Sequence, residues 1–159
     1  RFWLIQNDEE DTYSGIGKLG IEPLSAKCDT EYLQSRLEKR KKPIKGCLLD
    51  QSVIAGIGNI YSDEILFRAG ICPTRPANSL TAAEWRHLAG EISNSLHYFI
   101  EKNRITPEDY LETKGKEYRN TPFLQVYGHA DELCPNCRQT LVRKVIGGRS
   151  SVYCPNCQY

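Results

Sequence analysis

Val53-Ile54-Ala55-Gly56-Ile57-Gly58-Asn59 runs directly into Ile60-Tyr61-Ser62-Asp63-Glu64-Ile65-Leu66-Phe67-Arg68-Ala69-Gly70. The glycines permit a tight turn, and the segment after Asn59 reads as a helix stopped by Gly70. Upstream, Pro43 precedes a second helix predicted from Ile44 to about Ser52. The stretch is therefore two helices around a glycine-rich turn. Farther upstream, Asp29 or Thr30 caps a helix that sets Tyr32, Leu33 and Leu37 at helical spacing. Downstream, Pro73 and Pro76 break the chain, and Thr81 with Glu84 forms a capping box. Trp85, Leu88, Ile92, Leu96, Phe99 and Ile100 then recur in three- and four-residue steps, laying one stripe on a core. Beyond them the chain turns polar and irregular, with a short strand predicted from Phe123 to Tyr127.

The 159 residues, 40% of them hydrophobic, suit one domain with an appendage. No apolar run approaches the ~18 residues of a membrane span. The 21 Lys and Arg against 20 Asp and Glu give no global attraction to a polyanion, so charge speaks only through its local distribution. Seven cysteines, an odd number, do not suit a disulfide framework. Cys28, Cys47 and Cys72 read as spare reduced thiols of a cytoplasmic protein, and His87, His97 and His129 as surface or satisfied core residues.

The other four cysteines form two identical turns, Cys134-Pro-Asn-Cys137 and Cys154-Pro-Asn-Cys157, with 16 residues between them. Each turn presents two thiolates, and two turns across a hairpin close a tetrahedron of soft ligands. One structural Zn²⁺ is the expected cofactor, with no open position for water or substrate. Paired disulfides, a redox CxxC and an iron site fit the duplicated spacing less well. Between the turns, Leu141 to Ile146, Gly147-Gly148 and Arg149 to Tyr153 read as strand, turn, strand, which sets Arg149 at the hairpin tip. From Cys134 to Tyr159 there are four basic residues, Arg138, Arg143, Lys144 and Arg149, and no acidic one, a balance that favours a phosphate backbone.

A second basic cluster, Arg36, Lys39, Arg40, Lys41, Lys42 and Lys45, has only Glu38 to offset it. It reads as a solvated helix end when taken alone. It gains meaning from leading into the glycine turn, where backbone N–H groups around Gly58 and the Asn59 amide are suited to phosphate oxygens at a helix start.

Leu49-Asp50-Gln51-Ser52 through Glu64, Phe67-Arg68-Ala69-Gly70-Ile71-Cys72-Pro73 and the terminal four-cysteine finger together resemble the C-terminal part of the formamidopyrimidine-DNA glycosylase family, which includes endonuclease VIII. The resemblance implies a mainly α-helical domain with a helix-two-turn-helix motif, followed by a small β-hairpin zinc finger. It implies base-excision repair: removal of oxidised purines such as 8-oxoguanine and formamidopyrimidine, then cleavage of the abasic strand by β- and δ-elimination. By the same resemblance Asn59 binds phosphate beside the lesion. Arg149 holds the flanking phosphates and acts as a catalytic proton donor in δ-elimination, while Lys45, with Lys41 as a neighbour, contacts phosphate. The implied partner is damaged double-stranded DNA, and the implied state a monomer in the bacterial cytoplasm, associated with the nucleoid.

Two departures qualify the resemblance. The family's N-terminal Pro, its neighbouring Glu and a hairpin Lys have no counterpart after Arg1, so residues 1–27 are expected to be the end of an absent N-terminal β-sandwich, with Phe2 to Ile5 its last strand, and a linker. Residues 28–122 then form the helical domain and 123–159 the finger. The family's Gly-Tyr-Phe lid over the extruded base falls here on Tyr118, Arg119 and Asn120, which leaves base preference open, and Lys114-Gly115-Lys116 offers a weak further DNA contact. Two other readings stand beside the enzyme: a stand-alone non-catalytic module that grips damaged DNA, and a zinc-ribbon protein-interaction module. The last leaves the glycine turn and basic cluster unexplained.

Overall fold

The computed structural model of the protein describes residues 15–104, 106, 108, 111 and 120–159. The expected strand at Phe2 to Ile5, the loop Lys114-Gly115-Lys116, and Tyr118 and Arg119 lie outside them. Helices α1 (Thr30–Leu37), α2 (Ile44–Leu48), α3 (Asn59–Arg68) and α4 (Ala82–Lys102) are followed by an antiparallel hairpin of β1 (Val142–Ile146) and β2 (Arg149–Tyr153). The mainly helical body with a small hairpin finger matches the expected fold class. None of the helices among the described residues is long and apolar enough to cross a membrane.

Local chemistry sets the helix ends. The Asp29 carboxylate accepts from the Tyr32 amide at 2.8 Å and starts α1. Thr81 and Glu84 close the capping box that starts α4, and Arg75 pairs with the same Glu84. Gly70, at φ +69, ends α3 in the left-handed region. The stripe on α4 packs as expected through Trp85, Leu88, Ile92, Leu96 and Phe99, whereas Ile100 lies beyond its edge and stays exposed. The core gathers Leu33 and Leu37 of α1, Ile44 and Leu48 of α2, Ile65 and Leu66 of α3, and Trp85, Leu88, Ile92 and Leu96 of α4.

Two expectations are corrected. Helix α2 stops at Leu48 rather than near Ser52, because the Asp50 carboxylate binds the Ser52 amide and hydroxyl and holds the chain in a turn. Phe123 to Tyr127 is not a strand. Its first residue closes a 3₁₀ turn, and the amides that follow are bound by a side chain rather than by a neighbouring strand.

Residues 20 to 22, expected in the linker, are joined to the loop after α2. The Gly20 amide donates to the Gln51 carbonyl at 2.7 Å, and Ile21 and Val53–Ala55 exchange two further bonds. A Cβ on Gly20 would sit 2.1 Å from the Val53 carbonyl oxygen, so only glycine permits this approach.

Candidate functional site

The glycine turn is braced from within. The Gln51 side chain accepts from the Gly56 amide at 2.8 Å and donates to the Ile57 carbonyl at 3.0 Å, while Gly56 takes φ +88. Arg40 reaches the Asp50 carboxylate at 2.6 Å and ties the basic cluster to the same loop. Hydrogen bonds from Ser52, then the Arg40 guanidinium, hold the Asp50 carboxyl down to about 2. Gly58 is the extended N-cap of α3, no side chain caps the first turn, and no acidic residue lies within it. That helix end is electrostatically open to an anion.

The finger approaches this end. Gly147 and Gly148, at φ +56 and +78, form the two-residue turn that suits a right-twisted hairpin, and Arg149 follows them opposite Ile146. Arg149 is exposed, and its guanidinium makes no hydrogen bond or ion pair among the described residues. Leu49, Gln51, Gly56, Gly58, Asn59 and Arg149 line one open hollow of about 290 Å³. Two basic residues from the sequence reading stand elsewhere: Lys41 is exposed, and Lys45 is not.

Lys45, expected at a phosphate, is engaged within the protein. Its side chain is wholly buried, and its ammonium donates to Asp63 Oδ1 at 2.7 Å and to the Ser150 carbonyl at 3.0 Å. Burial pushes this ammonium down and the Asp63 carboxyl up, while their mutual pairing opposes both shifts, and Arg149 adds a repulsive contribution at Lys45. The Asn59 amide likewise donates to the Ser150 carbonyl at 3.0 Å. Asn120 is buried too: its amide donates to the Tyr61 hydroxyl at 3.1 Å, so it packs inside rather than in an exposed lid.

Asp63 and Glu64 received no role from the sequence, yet both are buried and organise the join. Asp63 accepts from the Ser151 hydroxyl at 2.6 Å and the Val152 amide at 3.2 Å as well as from Lys45. Glu64 accepts from the amides of Gln125, Val126 and Tyr127 at 2.9 to 3.0 Å. Two adjacent acids in a helix that continues Ile65-Leu66-Phe67 were the available signal, since buried carboxylates persist only with partners.

The four sulfurs of Cys134, Cys137, Cys154 and Cys157 lie within 4.8 Å of one another. Cys134 and Cys157 are 3.9 Å apart and Cys137 and Cys154 3.4 Å, close to the ~3.8 Å edge of a tetrahedron with Zn–S bonds of ~2.3 Å. The donor set fits one structural zinc. The Gln139 amide leads in drawing the Cys137 thiol down to about 6, whereas burial pushes Cys154 and Cys157 up. A divalent cation relieves the repulsion of four thiolates. Behind the sulfurs, Leu141, Val126 and Val152 make a small core completed by Phe67 of α3. Gln158 accepts from the Cys154 amide and donates to the Ile71 carbonyl, both at 2.9 Å, which fastens the second knuckle to the helical body.

Residues 19–110 match the family model described as the formamidopyrimidine-DNA glycosylase H2TH domain, and residues 131–158 match the zinc finger found in FPG and IleRS. The formamidopyrimidine-DNA glycosylase of Pelotomaculum thermopropionicum is 43% identical over 99% of this chain and 57% of its own length. That of Desulfitobacterium hafniense is 44% identical over 99% and 58%. The chain thus spans somewhat over half the length of these relatives. Among solved structures, the Thermus thermophilus MutM (Fpg) protein superposes with a TM-score of 0.84 at 34% identity, covering 97% of this chain and 59% of that one. The Lactococcus lactis Fpg, solved in complex with DNA containing an abasic site, gives 0.81 at 33% identity, covering 97% and 56%.

Proposed function

Because the chain belongs to the formamidopyrimidine-DNA glycosylase family, we propose that it is the DNA-gripping C-terminal part of a base-excision repair glycosylase and abasic-site lyase. The observation that carries this reading is the hollow where Gly58, Asn59 and Arg149 meet at the uncapped start of α3. Such a recess offers backbone amides, a side-chain amide and a guanidinium to phosphate oxygens, a donor set that binds without reading sequence. Holding phosphates beside a nucleotide offsets the few kcal/mol of unstacking required to turn its base out. Zinc, when bound, supplies folding energy to the finger that presents Arg149 and takes no part in the chemistry.

The proposal extends to substrate and reaction. The parent enzyme removes oxidised purines, 8-oxoguanine and formamidopyrimidine, and cleaves the abasic strand by β,δ-elimination, with Arg149 at the phosphate that departs. By the family resemblance the nucleophile is an N-terminal proline, which this reading assigns to the part of the relatives that the chain does not span. Lys45 supports this clamp from beneath rather than touching DNA.

Binding of the zinc-loaded chain to a duplex with one abasic site tests the reading. Arg149→Ala and Asn59→Ala are each expected to weaken binding by about 1–3 kcal/mol, the scale of a lost charge-assisted bond. Unchanged binding in both removes the clamp. Borohydride treatment of the same mixture is expected to give no covalent complex; a trapped band would place a competent amine inside this chain.

A further inference from the structure

Three successive residues of β2, each with a different polar group, are gripped from the helical body. The Ser150 carbonyl accepts from Lys45 and Asn59, the Ser151 hydroxyl donates to Asp63 Oδ1, and the Val152 amide donates to Asp63 Oδ2. Arg149 is the next residue toward the hairpin tip. We propose that Asp63, with Lys45 as its counter-ion, is the positioning residue that sets where Arg149 stands over the Asn59 turn. The inference rests on the phosphate-clamp reading above and assigns its geometry to a residue that touches no phosphate itself.

Stability alone does not account for this pair. Both side chains have zero exposure, and well-packed apolar residues commonly replace such a pair without loss. What an apolar contact lacks is direction. A hydrophobic patch lets a hairpin slide along or roll over a helix, whereas two carboxylate oxygens bound to successive residues, 151 and 152, admit a single placement. The two-residue glycine turn makes the tip short, so an error at Ser151 is carried to Arg149 over two residues. Loss of the carboxylate charge also leaves the Lys45 ammonium buried against Ser150 without its counter-ion, displacing the strand it holds.

The test is a double-mutant cycle on the zinc-loaded 159-residue chain, with the abasic-site duplex as probe and affinity as readout. In the wild-type background Arg149→Ala is expected to weaken binding about fivefold or more. In the Asp63→Asn background the same change is expected to weaken it by less than about twofold, because a misplaced Arg149 has no contact left to lose. Asp63→Asn itself is expected to lower the slope of log affinity against log salt by roughly one phosphate contact, with zinc content unchanged. If Asp63→Asn loses zinc, Ser151→Ala, which keeps the ion pair and removes one bond, takes its place, with a reduced Arg149→Ala effect expected there. An Arg149→Ala ratio equal in the mutant and wild-type backgrounds overturns the inference, since a purely structural Asp63 would lower melting temperature but leave that ratio alone. An Arg149→Ala change without effect in the wild type instead defeats the clamp reading, and the inference with it.

Discussion

Glu64→Gln tests how the segment entering the finger is held. The Glu64 carboxylate is fully buried, and its two oxygens accept from three consecutive amides, those of Gln125, Val126 and Tyr127. A bond to an ionised acceptor contributes about 0.5–1.5 kcal/mol more than a neutral one, so neutralising an acceptor of three donors lowers stability by about 2–4 kcal/mol. With the new amide nitrogen in the place of Oε2, all three N–H groups keep Oε1 at 2.9 to 3.0 Å, so the loss comes from the removed charge rather than from a stranded donor. Glu64→Ala strands all three donors and exceeds that range. Urea unfolding of the zinc-loaded protein, followed by Trp fluorescence and far-ultraviolet circular dichroism, measures the loss as a lower midpoint at an unchanged slope. Stability of Glu64→Gln within about 0.5 kcal/mol of wild type would refute the reasoning, because that is the range of an indifferent surface change.

Zinc removal by a strong chelator is expected to release the hairpin while α4 persists. Hydrogen exchange should become fast at Val142–Ile146 and Arg149–Tyr153 and stay slow along the Trp85 to Phe99 stripe; a hairpin that remains protected contradicts the assignment of its folding energy to the metal. Acid should weaken the fold through two groups: the Arg75 guanidinium leads in holding Glu84 at about 2, and Ser52 followed by Arg40 holds Asp50 at about 2. Both values lie below the unfolded ones, so the stabilisation is present above the ordinary carboxylate range and is lost as pH falls toward 2, together on the order of 2–3 kcal/mol after solvent screening. Equal midpoints at pH 6 and at about pH 3 would contradict it.

What could be read from the sequence was local. The Thr81 capping box, the Asp29 cap and the stop at Gly70 each lie within four residues of their own partner groups, the two CxxC turns are legible because each is local and the motif is repeated, and all stand in the structure as expected. The Arg149 hairpin tip was legible for the same reason, since two glycines between β-prone runs specify their own turn. What the sequence did not announce involves distant partners. Lys45 looked like one more surface cation because Asp63 stands 18 positions away. Phe123 to Tyr127 looked like a strand from its β-prone residues, whereas the amides of Gln125, Val126 and Tyr127 bond to a side chain 61 to 63 positions earlier rather than to a ladder. Gly20 looked like linker because nothing near it in the chain announces the Val53 backbone beside it.

Helix α3 carries a constraint of a different kind. Asn59, Asp63 and Phe67 recur every four residues and face the hairpin and the small core that it shares with the cysteine knuckles. Glu64 and Arg68 lie one step round the helix, toward the incoming chain and toward the Tyr98 ring, which the Arg68 guanidinium overlies at 4.4 Å. One residue inserted between Asn59 and Asp63 would rotate everything after it by about 100° relative to the glycine turn and aim each acid at the wrong segment. Substitutions along this helix can be absorbed one contact at a time, but a change of length cannot. The ten residues of α3 therefore behave as a reading frame for the assembly, in which point changes are local errors and a single insertion or deletion is a frameshift.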